Sequence, residues 1–273
     1  MNKVILLSGT DHLPAGACDF VSWMNQNQRL LLATVFLPKV DSWDVLLFNT
    51  YGVLSPGMFE MKEDPEILKA TKQKLYEFCE KNDVEFRIHE KEFDDLKSQL
   101  CIESRFADLM VFSNDAFYQS FTNHVYDEFA DNTLHHAECP VIIVPQKFER
   151  PKSVILAYDG SASSVFAIRQ FAALFPELAQ LETLLVYIDS NKKHQIPDLS
   201  YIEELAARHF NKLTFLKLNQ DPGKSFADWI EKQPEALLVT GAQGRGAVSE
   251  LLHKSFIGEV LKKNRMPVFV THR

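Results

Sequence analysis

The feature that most constrains this chain is a set of short apolar runs, alternating with longer stretches of helical spacing, that occurs twice. Val4-Ile5-Leu6-Leu7-Ser8-Gly9-Thr10 resembles Val154-Ile155-Leu156-Ala157-Tyr158-Asp159-Gly160 at an offset of 150 residues. At the far end of each unit, Cys139-Pro140-Val141-Ile142-Ile143-Val144 resembles Met266-Pro267-Val268-Phe269-Val270-Thr271. Ahead of those lie Ala107-Asp108-Leu109-Met110-Val111-Phe112 and Glu235-Ala236-Leu237-Leu238-Val239-Thr240. The joint is polar and proline-marked, Gln146-Lys147-Phe148-Glu149-Arg150-Pro151. Two domains follow, 1–146 and 152–273, each of ordinary size.

In the second unit, residues 152–158, 182–188, 213–218, 236–240 and 267–271 read as strands. They lack polar alternation, as strands of a parallel sheet buried on both faces do. Helical patterns run from Ser161 to Leu174, Leu199 to Phe210, Lys224 to Lys232 and Ser249 to Lys263, with Ser161 placed to cap the first. The first unit repeats the order, with strands near 3–8, 30–37, 84–88, 108–112 and 140–144 and a helix starting near Pro65. It carries extra residues around 44–57 with no assignable element. Strand–helix alternation of this kind implies an α/β fold, an open doubly wound sheet in each unit.

Composition removes several function classes. A formal charge of −8 argues against a nucleic-acid surface, which shows as a basic stripe. No run approaches the roughly 20 apolar residues that span a bilayer, so no membrane partner is expected. Met1-Asn2-Lys3-Val4 leads straight into a strand, leaving no room for a signal peptide. Cys18, Cys79, Cys101 and Cys139 have no CxxC neighbour, which suits scattered core thiols in a reducing, cytoplasmic setting.

In an open α/β sheet, ligands collect at the carboxyl ends of the strands, where strand order reverses. The second unit places Asp159-Gly160-Ser161 after its first strand and Gly241-Ala242-Gln243-Gly244-Arg245-Gly246 after its fourth. Three glycines in six residues allow close backbone approach, and a following helix N-terminus suits a phosphate.

This arrangement resembles the universal stress proteins, whose G-x2-G-x9-G-[S/T] pattern compares with Gly241-x2-Gly244-x9-Lys254-Ser255 here. The likeness covers essentially all of 152–273 and extends to 1–146 through the element order and end motifs, as in tandem members of that family. It implies two flavodoxin-like (adenine-nucleotide α-hydrolase-like) domains, each with a five-stranded, mainly parallel sheet. Their last strands would pair across the joint as an intramolecular pseudo-dimer, and the sequence leaves further homodimerisation open. The resemblance also implies ATP or a related adenine nucleotide, with or without magnesium, in the C-terminal domain. Asp159 would face ribose or base, and a main-chain group near Ile188 would meet the adenine. Gly241 and Gly244 would cradle phosphates, and Ser255 would donate to a phosphate oxygen. Lys254 stands where the family has its third glycine, so it either contacts the phosphates or fills the cradle. The first unit has Ser113 and Ala116 where the glycines stand, with Phe117 and Tyr118 beside them, and reads as a degenerate structural partner.

Other signals are weaker. Gly223-Lys224-Ser225 lacks the earlier glycine of a P-loop, since Leu218 holds that place. His124, His135, His136, His253 and His272 lack metal-ligand spacing. No Gly-x-Ser-x-Gly elbow or catalytic base accompanies Ser161 or Ser255, so no catalytic residue is named and slow ATP hydrolysis is the most an enzyme reading expects. Two functions remain: a cytoplasmic stress-response protein regulated by a nucleotide, or a ligand-free interaction and dimerisation scaffold.

Overall fold

Apolar runs without alternation need cover on both faces, and each of the chain's two units supplies it by laying helices on a parallel sheet. A computed structural model describes residues 2–37, 65–89, 96–113, 137–188, 195–218, 226, 229–233, 235–242 and 266–271. The first unit comprises Met1–Cys139 with Gln146–Phe148, and the second Pro140–Pro145 with Glu149–Arg273. Among the described residues no helix is long and apolar enough to cross a membrane.

In the first unit, β1 (Asn2–Gly9) is central, with β2 (Leu30–Leu37) on one side and β4 (Leu109–Ser113) on the other. β3 (Glu85–Ile88) adds outside β2, and all these pairs are parallel. Val4, Ile5, Leu6 and Leu7 are fully buried, which is why the run shows no polar alternation. Helices α1 (Ala15–Asn27), α2 (Pro65–Lys81) and α3 (Leu96–Arg105) complete the described elements. The inner face of α1 brings Phe20 and Trp23 against Phe148, with ring centroids 5.3 and 6.0 Å from it. Asp108 accepts the Lys3 amide at 2.8 Å, fixing the start of β1 beside that of β4. Cys79 and Cys139 are buried, and burial pushes each thiol up to about 12, so neither is a thiolate at neutral pH.

The second unit contains β6 (Ser153–Tyr158), α4 (Ala162–Leu174), β7 (Glu182–Ile188), α5 (Leu199–His209), β8 (Lys212–Leu218), β9 (Ala236–Gly241) and β10 (Val268–Thr271). Strand β5 (Val141–Val144), ahead of the joint in sequence, packs with this unit and pairs antiparallel with β10. The order is β5-β10-β9-β6-β7-β8, parallel apart from that one pair. Phe171 on α4 holds the core, with Phe175, Phe210 and Phe269 packed around its ring. The fold is the expected α/β architecture, mainly parallel with helices on the sheet. The inserted segment around 44–57, the third-helix turn at Gly223-Lys224-Ser225 and His124, His135, His136, His253 and His272 lie outside the described residues.

Candidate functional site

The chain leaves β6 toward β7 and leaves β9 toward β10, in opposite directions across the sheet. Between β6 and β9 lies the topological switch point, the place where open α/β sheets receive ligands. The ladder runs to Leu156 opposite Val239, and the two strands end two residues later, at Tyr158 and Gly241. Asp159 and Gly241 are thereby brought to the same end of neighbouring strands. Ile188 is the last residue of β7, paired with Leu218 one strand farther out. Gly244, Lys254 and Ser255 lie outside the described residues.

Local chemistry shapes the turn after β6. Asp159 Oδ1 accepts the Ser161 amide at 2.9 Å, an Asx turn that needs no ligand to form. The other carboxylate oxygen has no hydrogen-bond partner among the described residues. Gly160 sits at φ +80°, the left-handed region that favours glycine. A Cβ there would also fall 2.8 Å from Pro197 Cβ. Ser161 Oγ then accepts the Ser164 amide at 3.1 Å and caps α4, as its position predicts. Tyr158, 1% exposed, donates its hydroxyl to the Pro197 carbonyl at 2.9 Å. Burial first, then the nearby carboxylates of Asp198 and Asp159, push that phenol up to about 12. It is a fixed neutral donor that ties the entry of α5 to the end of β6.

Gly241 has its own structural reason. A Cβ on it would lie 2.5 Å from the Ser163 carbonyl carbon and 2.7 Å from its oxygen, so only glycine lets the first turn of α4 rest on β9. Sequence reasoning assigned that freedom to a ligand and missed the helix.

It also missed a groove of about 740 Å³ between α4 and α5, bounded by Val165, Phe166 and Arg169 on one helix and Tyr201, Ile202 and Leu205 on the other. The signal was present as same-face pairs, Val165 with Arg169 and Tyr201 with Leu205, four residues apart on each helix.

The first unit's corresponding end differs. Ser8 Oγ lies within hydrogen-bond distance of the Gly9 and His12 carbonyls, and Asp11 Oδ1 is 2.6 Å from His12 Nδ1. His12 Nε2 is buried and has no hydrogen-bond partner among the described residues. Ser113 ends β4 fully buried, and the following Ala116, Phe117 and Tyr118 lie outside the described residues. Among the described residues no cluster of three or more His, Cys, Asp or Glu could hold a metal ion.

No protein-family model matches the chain. It is 29% identical over 131 residues to universal stress protein Slr1230 of Synechocystis sp., a stretch covering 47% of this chain and 45% of that one. The chain therefore matches less than half the length of that curated relative. A universal stress protein from Archaeoglobus fulgidus superposes with a TM-score of 0.67 at 16% identity, over 98% of this chain and 96% of that one. A provisionally named universal stress protein from Pseudomonas aeruginosa gives a TM-score of 0.57 at 13% identity, over 100% and 93%. At such identities the structural likeness establishes the fold. Together with the sequence match, it makes this chain similar to universal stress proteins.

Proposed function

We propose that the second unit binds ATP or a related adenine nucleotide, as a regulatory ligand of a cytoplasmic stress-response protein. The observation that carries this reading is the meeting of Asp159 and Gly241 at the switch point, with Gly241 opening the glycine pattern that continues to Gly244. The unpartnered Asp159 oxygen suits a ribose hydroxyl, and a main-chain group near Ile188 would meet the base. Backbone N–H groups at Gly241 and Gly244 would face phosphate, joined by the Ser255 hydroxyl and the Lys254 ammonium, with magnesium accompanying the triphosphate. No catalytic step is assigned.

A second reading, a ligand-free scaffold, draws on the contacts of Gly160 with Pro197 and Gly241 with Ser163, which account for both glycines structurally. Titration calorimetry with ATP and magnesium separates the two, run on the native chain and on Lys254→Gly. Saturable native binding that weakens in the variant supports nucleotide regulation with Lys254 on the phosphates. Binding by the variant alone identifies Lys254 as a plug over an intact cradle. Silence from both removes the nucleotide reading.

A further inference from the structure

We propose that the groove between α4 and α5 is a separate small-molecule site for a flat, largely apolar compound bearing one anionic group. Its volume, about 740 Å³, falls within the roughly 300–1,000 Å³ typical of ligand pockets. Phe166 and Val165 form one wall, and Tyr201 and Leu205 the other. Tyr201 is 75% exposed and neighbouring Leu199 41%, so large apolar surface stands in water at the lip of a concavity. A planar ligand body would cover that surface and gain aromatic contacts.

Two charges orient such a ligand. Arg169 lines the groove on α4, and its guanidinium has no carboxylate partner among the described residues. Asp198 lines it at the entry of α5 and makes no ion pair with Arg169. Arg169 follows Ala162 by seven residues, about 10 Å along the helix at 1.5 Å per residue. The fork of donors would take the anion at one end, while Asp198 would repel it and accept from a donor at the other. The Tyr158 hydroxyl is committed to Pro197, so it closes the wall instead of reading the ligand. The proposal stands apart from the nucleotide reading, and because Gly160 and Ser161 of the groove flank Asp159, competition with ATP tests that separation.

The probe is 8-anilino-1-naphthalenesulfonate, whose flat naphthalene carries one sulfonate and one N–H donor, titrated by fluorescence. Native chain is expected to give one saturable site. Ala162→Trp, which fills the groove from an exposed position, should abolish it. Arg169→Gln should weaken it about 10- to 100-fold, the range for losing a hydrogen bond to a charged group. Saturating ATP with magnesium should leave the signal unchanged. Circular dichroism of both variants should match the native chain, since neither position is in the core. Equal probe binding by native chain and Ala162→Trp would overturn the proposal, as would displacement of the probe by ATP. Calorimetric silence toward ATP would sink the nucleotide reading and leave this one untouched.

Discussion

The ends of β1 and β6 occupy equivalent places in their units and are held by different chemistry. After β6 the backbone itself is locked, by the Asx turn at Asp159, the left-handed Gly160 and the Ser161 cap. After β1 the tie is between side chains, Asp11 with His12, and α1 begins at Pro14 with no side-chain cap. The neighbouring strands differ in the same sense. β9 ends in a glycine on which the backbone of α4 rests, whereas β4 ends in the fully buried Ser113. One topology therefore carries a glycine against a helix backbone at this place in one unit and a buried serine in the other.

The largest break in that comparison should come from Gly241→Ala. Its Cβ would meet backbone at 2.5 Å, an overpacking worth about 3 kcal/mol. Ser113→Ala in the first unit should cost only about 1 kcal/mol, through a lost buried hydroxyl. Hydrogen exchange of β6 and β9 amides, against β1 and β4 amides, reads the two separately. Equal effects would mean that α4 can lift away freely.

Gly160→Ala comes next, at about 1–2 kcal/mol for a left-handed residue, with added displacement of Pro197. Gly9→Ala meets the movable Asp11 carboxylate at 3.1 Å and has no positive φ, so its change should stay below about 1 kcal/mol. Urea unfolding of the two variants tests the ordering.

The smallest contrast lies at alkaline pH. Cys79 and Cys139 rise from 9.0 to about 12, and Tyr158 from 10.0 to about 12. Each keeps its proton in the fold after the unfolded chain has lost it, so each contribution is intact below the ordinary value and declines as pH rises toward 12. The first unit should start to weaken near pH 9, read by thiol labelling, and the second near pH 10, read by tyrosinate absorbance. The reverse order would show that buried thiols do not govern the first unit.

The strands were legible because burial on both faces leaves its mark in consecutive residues, as in Val4–Leu7 and Val154–Ala157. Ser161 as a cap was legible for the same local reason. The helix Ala15–Asn27 is implied by the shared element order but has no bounds in the sequence, because its outer end is a run of Asn and Gln and its start carries Pro14 and Gly16. Asp159 and Gly241 stand out in the sequence, while the contacts they make do not. Ser161 is two positions from Asp159, but Ser163 stands 78 positions from Gly241 and Pro197 stands 37 from Gly160. Contacts over such separations leave no periodicity to read, so the Val165–Arg169 and Tyr201–Leu205 faces are each legible while their pairing is not.

Strand β5 has a consequence for how the protein is made. It leaves the ribosome before the joint, yet its partner β10 follows about 120 residues later, which at 5–20 residues per second is a delay of roughly 6–25 s. Throughout that interval the edge of Val141–Val144 that β10 will cover stands open and wholly apolar, of the kind that invites pairing with other chains. A fragment starting after the joint would carry the converse defect, leaving Val268–Thr271 without its antiparallel neighbour. Nascent chains stalled in the second unit should therefore be the species that chaperones hold.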